Sequence, residues 1–231
     1  MKLPLPTLTI FALSLAWSPL AQANLTIDGF DLAQGVLTGD GAYYAISGPG
    51  ILGSERDVEL AFPATSTFSI MDGVLTLTQT SGFSRVFITY DGIDNSASIA
   101  MGLGGFDLLS LGTSFQVAVP STAGSTPHAH LFIRAYTSSS DYSEEHLVLT
   151  NGDFPSLVTI PFATMDKWGL GANFSNINAI QMELAIGSGI NMDMNVDSIA
   201  VVPEPSSAVL LFGMALGFGA RRRAGVGSQG A

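Results

Sequence analysis

Trp168 is the residue whose type and surroundings most favour ligand binding. It lies in Asp166-Lys167-Trp168-Gly169, a turn-like segment that would leave the indole partly exposed. The apolar face of a sugar ring stacks on a flat aromatic surface, and nearby polar groups fix its orientation. Trp168 is therefore a candidate sugar platform, with a half-buried packing role as the alternative. Tyr43, Tyr44, Tyr136 and Tyr142 are further aromatic candidates.

The short motifs that mark common catalytic sites are missing from the sequence. There is no Gly-x-Ser-x-Gly elbow, phosphate-binding loop, dinucleotide fingerprint or His-Glu-x-x-His pair. Cysteine is absent, which excludes thiol nucleophiles and cysteine-ligated zinc. A glycosidase needs two carboxylates across a cleft, whereas Asp141, Glu144 and Glu145 flank a serine-rich turn and are expected in a solvated loop. We predict a protein that is not an enzyme, with glycoside hydrolysis as the least favoured alternative.

Two groups of residues have spacings that could suit a metal ion. His128 and His130 would share one face of a strand, although a polar loop leading into a strand explains them more simply. Asp193, Asn195 and Asp197 superficially match the start of an EF-hand loop. Ser198 stands where that loop requires glycine. An EF-hand is therefore rejected.

Charge narrows the range of partners. Residues 24–202 contain eighteen acidic and four basic residues, so this region has a formal charge of −14. Nucleic-acid binding depends on basic contacts to phosphate, and this region would instead repel phosphate. The charge favours divalent cations and solubility outside the cell. No nucleic-acid partner is expected.

Short runs of β-branched and aromatic residues alternate with Gly, Ser, Thr, Asn and Asp clusters through the middle of the chain. This spacing, without a convincing amphipathic helix, is typical of an all-β sandwich or barrel. Apolar Ile190, Met192, Met194 and Val196 alternate with polar residues, as in a strand with one buried face. The predicted strands are 74–78, 85–90, 114–119, 130–136, 146–149, 156–160, 179–186 and 195–202.

The order of these elements resembles the galactose-binding-like jelly rolls, the fold of many carbohydrate-binding modules. The resemblance implies a jelly-roll β-sandwich over residues 24–201 whose first and last strands lie near each other. It also implies a structural calcium near the termini, bridging Asp28 or Asp31 to Asp197. The matching segments are Asp28-Gly29-Phe30-Asp31, Leu131-Phe132-Ile133, Ile160-Pro161-Phe162, Asn178-Ala179-Ile180 and Val196-Asp197-Ser198-Ile199.

Residues 1–23 have the organisation of a signal peptide. Lys2 gives a positive start, residues 8–17 form an apolar run, and Ala21 and Ala23 fit the small-x-small site that signal peptidase cleaves. The apolar run is shorter than the roughly 20 residues that span a bilayer. We expect Asn24 to begin the mature protein.

The end of the chain has three ordered parts. Pro203 and Pro205 flank Glu204 and should hold Val202 to Pro205 extended and exposed. Residues 206–220 form an uncharged apolar stretch, predicted as a short transmembrane helix. Arg221, Arg222 and Arg223 follow as a stop-transfer cluster, which leaves 224–231 as a cytoplasmic tail.

Together, residues 202–223 resemble the PEP-CTERM sorting signal, which exosortase recognises in Gram-negative bacteria. The resemblance implies export, transient anchoring in the inner membrane, and exosortase processing near Pro203-Glu204-Pro205 that releases the protein to the cell surface or the medium. Permanent anchoring is the alternative. The segment Gly50–Asp57 resembles a stretch common in other exported domains with this tail, and Arg56 is expected to pair with Asp57 or Glu59.

These patterns lead to three hypotheses about function. The first is a non-catalytic component of an extracellular matrix or biofilm. The second is a carbohydrate-binding module acting on the cell's own exopolysaccharide, and the third is a secreted hydrolase. Signal peptidase, exosortase, the inner membrane and polysaccharide are the expected partners, and no cofactor is required beyond a structural calcium.

Overall fold

A computed structural model describes residues 24–61, 65–124, 129–149, 157–187 and 191–203. Within these ranges the chain is all-β, with two short 3₁₀ turns at Leu52–Ser54 and Phe162–Thr164. The strands are β1 (Leu25–Asp28), β2 (Gln34–Leu37), β3 (Ala42–Ser47), β4 (Glu55–Ala61), β5 (Ser66–Met71), β6 (Val74–Gln79), β7 (Ser84–Tyr90), β8 (Ser114–Ala118), β9 (Ser121–Gly124), β10 (Ala129–Tyr136), β11 (Tyr142–Leu149), β12 (Leu157–Pro161), β13 (Asp166–Trp168), β14 (Ala179–Ile186), β15 (Met192–Val196) and β16 (Ser198–Val202).

One layer of the sandwich is a seven-stranded antiparallel sheet. Its strand order is β13-β11-β10-β14-β7-β4-β3. The central strand β14 pairs along its whole length with β10 and for seven residues with β7, and all of its residues are buried. The sheet is therefore rigid at its centre and has short strands at one edge, where β13 pairs with β11 over three residues.

The opposite layer consists of two smaller sheets joined by shared chain segments. Their orders are β1-β16-β8-β12 and β2-β5-β6-β15-β9. β8 leads into β9 and β15 into β16 within two residues, so these segments pass from one sheet to the other. The predicted single strand over 195–202 is in fact two strands that separate at Asp197, because the chain changes partners there.

Period-two alternation explains why these segments form strands. In β10, Leu131 and Ile133 are buried while Phe132 and Arg134 are partly exposed. In β15, the predicted alternation is present, with Met194 fully buried. One face of each sheet can then be withdrawn from water, which is the main stabilising contribution to such a fold.

The core lies between the layers and draws on both. The seven-stranded sheet supplies residues such as Val58 and Ile88, and the smaller sheets supply Phe68, Phe115 and Ile199, all fully buried. Phe115 packs edge-on against Phe162, with ring centroids 4.8 Å apart. A core of this size needs no disulfide, consistent with the absence of cysteine.

The chain ends of the domain lie together, as the jelly-roll resemblance implied. β1 pairs antiparallel with β16, and Leu25 lies opposite Val201. The expectation that Val202 is exposed is wrong, because it is the last residue of β16, is 6% exposed and accepts a hydrogen bond from Thr113 at 3.0 Å. The ladder with β8 requires this position in the sheet.

Several expectations fall on residues outside the described ranges. These are the signal peptide with Ala21 and Ala23, Glu204 and Pro205, the apolar stretch 206–220, and Arg221 to Arg223. His128 is also outside them. In the part of the chain that the structure describes, no helix has the length and hydropathy to cross a membrane.

Candidate functional site

The seven-stranded sheet turns one set of side chains away from the core, and we call this its outer face. Because side chains alternate along a strand, the even-numbered residues of β10, β11 and β13 lie on this face. The odd-numbered residues Gln181 and Glu183 of β14 and Asp57 and Glu59 of β4 lie there too. The registers place these positions side by side, for instance Phe132 opposite both His146 and Glu183. The outer face therefore collects aromatic, basic and acidic groups from distant parts of the sequence.

An aromatic row crosses three strands at one end of this face. Tyr136 on β10 is opposite Tyr142 on β11, which is opposite Trp168 on β13. The rings of Tyr142 and Trp168 are nearly parallel, with centroids 5.8 Å apart, and those of Tyr136 and Tyr142 are 5.0 Å apart. Trp168 is 52% exposed, so the row begins buried at Tyr136 and ends as an open platform.

A tight turn holds Trp168 in this position. Gly169 has a φ of 63°, and a Cβ there would lie 2.3 Å from the carbonyl oxygen of Ser140. Asp141 accepts a hydrogen bond from the Leu170 amide at 2.8 Å. That bond, with one from Ser138, keeps the pKa of the Asp141 carboxyl below its usual value. Of the segment expected to be turn-like, Asp166–Trp168 instead form β13, and the turn begins at Gly169.

Arg134 is the centre of a charged network beside the aromatic row. Its guanidinium binds Glu144 through Nε, Gln181 through one terminal nitrogen at 3.1 Å, and Glu183 through the other at 2.8 Å. Arg85 pairs with the second oxygen of Glu183 at 3.0 Å. Burial pushes the pKa of Arg134 downward, but its contacts with Glu183 and Glu144 outweigh this and raise it. The network is thus a fixed array of charged hydrogen-bonding groups.

A second aromatic group lies on the other side of Arg134. Phe132 and His146 are stacked with centroids 4.2 Å apart and planes within 5° of each other, and His130 Nδ1 lies 2.8 Å from His146 Nε2. Arg134 lies over the Phe132 ring at 5.3 Å. Of the residues expected in a solvated loop, Asp141 does lie in the turn before β11, but the expectation is wrong for Glu144 and Glu145, which lie within β11 and pair with β10. His146, where the predicted strand 146–149 begins, is inside the longer strand β11.

A carboxylate cluster lies toward the other end of the strand order, on β4 beside the edge strand β3. Glu55 and Asp57 of β4 and Asp94 of the loop after β7 each place a carboxylate oxygen within 4.8 Å of the others. Glu55 accepts backbone hydrogen bonds from Asp94 and Asn95, both at 2.8 Å. The loop therefore folds over the edge of the sheet and buries Glu55 and Asp57 almost completely.

The pKa values in this cluster reflect burial and repulsion. Burial raises the pKa of Asp57 to about 7; a hydrogen bond from Tyr43 opposes the rise, and repulsion from Glu55, Asp91 and Asp94 adds to it. Burial also raises the pKa of Asp91. For Glu55 burial acts upward too, but the amides of Asn95 and Asp94 and the Ser47 hydroxyl lower the pKa overall. The cluster thus places several carboxyl groups close together in a buried environment.

Arg56 does not neutralise this cluster, and the expected pair with Asp57 or Glu59 is wrong. Residue 56 alternates with 55 and 57, so its side chain points into the core instead. There it pairs with Asp28 at 2.7 Å, with both side chains buried. Asp28 also accepts bonds from the Phe30 amide at 2.7 Å and the Tyr90 hydroxyl at 3.2 Å.

A calcium ion bridging Asp28 or Asp31 to Asp197 stays a prediction, and these residues do not form a converging group of three in the described part of the chain. Among the described residues, only Glu55, Asp57 and Asp94 form a group of three whose ligand atoms converge. Asp28 is engaged by Arg56, and Asp31 is on the exposed surface. Sequence reasoning passed over Glu55 and Asp57 because Arg56 between them offered an obvious partner; their two-residue spacing on a strand was the available signal.

The fold and the outer face define an all-β jelly-roll sandwich domain with an aromatic and charged sheet face. The chain also carries the PEP-CTERM protein-sorting motif, matched at residues 201–223. The motif implies export and exosortase-dependent placement at the surface or outside the cell. Its first two residues belong to β16, so the motif begins inside the last strand of the domain.

Comparison with solved structures finds several that are similar to parts of this chain at low identity. A family 11 carbohydrate-binding module of the cellulosomal cellulase Lic26A-Cel5E of Clostridium thermocellum is 13% identical, with 79% of this chain and 96% of that chain covered and a TM-score of 0.39. PfGH50B is 9% identical over 64% of this chain and 23% of that chain, at 0.40. TmCBM61, solved with β-1,4-galactotriose, is 8% identical over 74% and 88%, at 0.25. At these identities the likeness concerns fold alone. Comparison with curated protein sequences finds no match.

Proposed function

We propose that this protein is a non-catalytic surface or matrix component that binds polysaccharide on the outer face of its seven-stranded sheet. The observation that carries the proposal is the half-exposed Trp168, stacked on Tyr142 and next to the Arg134 network. A platform for a pyranose face lies here beside charged groups that can bind its hydroxyls. A flat aromatic surface with a few fixed polar groups beside it is what a sugar site requires.

The arrangement supports a chain-like ligand. The aromatic row and the Phe132–His146 stack lie on the same face, at different positions along β10 and β11, with Arg134 between them. A linear sugar polymer could contact both aromatic groups and pass over the Arg134 network between them. Because these groups project from paired strands, they are already ordered before binding, which reduces the entropy cost of association.

A binding role also accounts for the state of the carboxylates better than hydrolysis does. Glu144 and Glu183 are the acids of the network beside the aromatic row, and both are held by Arg134. A general acid must release a proton to the departing oxygen. Carboxylates engaged by a guanidinium are poorly placed for that step, whereas they can orient sugar hydroxyls through the network.

The location that the sorting motif implies suits this role. An exported protein meets the cell's own exopolysaccharide at the surface, and binding it would hold the protein in the matrix after release. The formal charge of −14 on residues 24–202 favours a neutral polymer over an acidic one.

Retention on immobilised polysaccharide tests the proposal. The exported protein, purified from its host, is passed over the host's exopolysaccharide and over a panel of neutral and acidic polysaccharides. We expect Trp168→Ala to weaken binding to the retained polymer by about tenfold or more, as for an aromatic anchor at a binding hot spot. Calorimetry with soluble fragments of that polymer gives the dissociation constant.

Val36→Ala is the matched control. Val36 is a large apolar side chain, 63% exposed, on β2 in the opposite layer, so its loss should leave binding unchanged. Equal binding by wild type and Trp168→Ala would refute the stacking platform. Release of reducing sugar from the retained polymer would refute the non-catalytic part and favour the hydrolase alternative.

A further inference from the structure

The carboxylate cluster lies outside the proposed sugar-binding surface, on β4 beside the edge strand β3 of the same sheet. Glu55, Asp57 and Asp94 come from a strand and a distant loop, yet their ligand atoms lie within 4.8 Å of one another. Glu55 is fully buried and Asp57 is 2% exposed. Three anions this close repel one another strongly in a medium of low dielectric constant.

An oxygen in this cluster lacks any hydrogen-bond partner. Asp57 accepts a bond from the Tyr43 hydroxyl at 2.5 Å through Oδ1, but its Oδ2 is buried and unpartnered. Asp91, whose charge also acts on Asp57, is fully buried and has an unpartnered Oδ1 as well. Buried acceptors in native proteins normally have a partner, so an unpartnered carboxylate oxygen at a convergent site points to a bound cation.

No basic side chain of the described residues compensates the charge. The ion pairs found there join Arg56 to Asp28, Arg85 to Glu183, and Arg134 to Glu144 and Glu183. Arg56 is adjacent in sequence but projects to the other side of the sheet. A bound cation would therefore stabilise the ionised cluster, which has no ion pair with a basic side chain of the described residues.

We propose that Glu55, Asp57 and Asp94 bind a calcium ion that ties the loop after β7 to the edge of the sheet. Carboxylate oxygens are hard ligands, which calcium accepts in irregular geometry with backbone carbonyls and waters completing the shell, whereas magnesium demands a near-ideal octahedron. A site of this kind in an extracellular module binds calcium with a dissociation constant of about 10⁻⁴–10⁻³ M.

The loop that the ion would hold is closely packed against itself. Gly92 has a φ of 101°, and a Cβ there would lie 2.9 Å from the Gly102 carbonyl oxygen. Its backbone amides at Asp94 and Asn95 already bind Glu55. Calcium would also join the Asp94 side chain to the carboxylates of Glu55 and Asp57. Binding should therefore order the loop and stabilise the whole domain.

Thermal unfolding and direct binding test this site. For the exported protein stripped with EDTA, we expect saturating Ca²⁺ to raise the melting temperature by about 5–10 °C. Mg²⁺ at the same concentration should have a smaller effect. Equilibrium dialysis with Ca²⁺ should find one site, and Asp94→Asn should weaken it by about tenfold or more.

Asp107→Asn is the matched control. Asp94 accepts a hydrogen bond from the Ser96 amide at 2.9 Å, and Asp107 accepts one from the Ser110 amide at 3.2 Å. Asparagine preserves either bond, so both variants should fold and only Asp94→Asn should lose calcium. Terbium luminescence excited through Tyr43, which contacts Asp57, gives a second readout that Tyr43→Phe should diminish. Equal Ca²⁺ binding by wild type and Asp94→Asn, or no binding by wild type, would overturn the site.

The sugar-binding proposal is tested separately from this one. Trp168→Ala should leave the calcium-induced rise in melting temperature unchanged, and Asp94→Asn should retain the polysaccharide affinity of the wild type measured in EDTA. Failure of either proposal therefore shows in its own measurement.

Discussion

The two ends of the outer face handle negative charge in opposite ways. At the Arg134 end, Glu144 and Glu183 are held by a guanidinium from a neighbouring strand. At the β4 end, Glu55, Asp57 and Asp94 converge without a basic partner among the described residues. The same sheet thus contains a network neutralised by the chain's own arginines and a cluster for which we propose a cation from solution.

Strand alternation explains this difference. Arg134 is on the outer face of β10, so the ladder brings it against Glu144 and Gln181. Arg56 is offset by one residue from Glu55 and Asp57, so it faces the core and pairs with Asp28. A single position along a strand decides which carboxylates are neutralised by the chain. With only four basic residues in 24–202, the protein cannot neutralise every buried acid.

The largest effect should come from Arg56→Met, which converts the completely paired Asp28 into a buried carboxylate without a cation. We expect the free energy of unfolding to fall by about 3–5 kcal/mol, because removing one partner of a buried pair leaves the other uncompensated. Urea denaturation measures it. The double variant Arg56→Met/Asp28→Asn should recover much of the loss, and a single-variant loss below about 1 kcal/mol would contradict this account.

Arg134→Met should remove the arginine that neutralises Glu144 and Glu183, so this region would contain uncompensated carboxylates like the cluster on β4. We expect a loss of about 2 kcal/mol in unfolding free energy, less than for Arg56, because Arg134 is partly exposed and Arg85 still pairs with Glu183. Chemical denaturation is again the measurement. Adding Glu183→Met should restore most of the stability; if it lowers stability further, the network does more than neutralise Glu183.

A smaller effect should appear at the β4 end when calcium is removed. The pKa of Asp57 is raised to about 7 in the folded protein, so the stability that its protonation gives is present at low pH and lost as pH rises through 7. In EDTA, wild type should lose about 1 kcal/mol more than Asp57→Asn between pH 6 and pH 8. The difference between the two proteins should be smaller in Ca²⁺. Parallel curves of unfolding free energy against pH in EDTA would show that ionisation of Asp57 does not destabilise the folded protein.

Particular residues show how far the sequence could be interpreted. The strand at 179–186 was predicted with its exact bounds, and the pairing of the first and last strands followed from the jelly-roll resemblance. The sorting motif was identifiable because its three parts are contiguous. Trp168 was correctly expected to be partly exposed. Its stacking on Tyr142 could not be predicted in the same way, because it depends on strand pairing between two residues that are 26 positions apart in the sequence.

The sequence by itself determined the features that depend on residues close together in the chain or on composition. These are the strand periodicity, the turn at Gly169, the excess of acidic residues and the export tail. Only the tertiary structure decided the partners of Arg56, the convergence of Asp94 with Glu55 and Asp57, and the aromatic row. Those contacts join segments separated by tens of residues, and a shift of one residue in the register of a strand would move every side chain to the opposite face. Local patterns leave that register open, because it is set by how all the strands fill a common core.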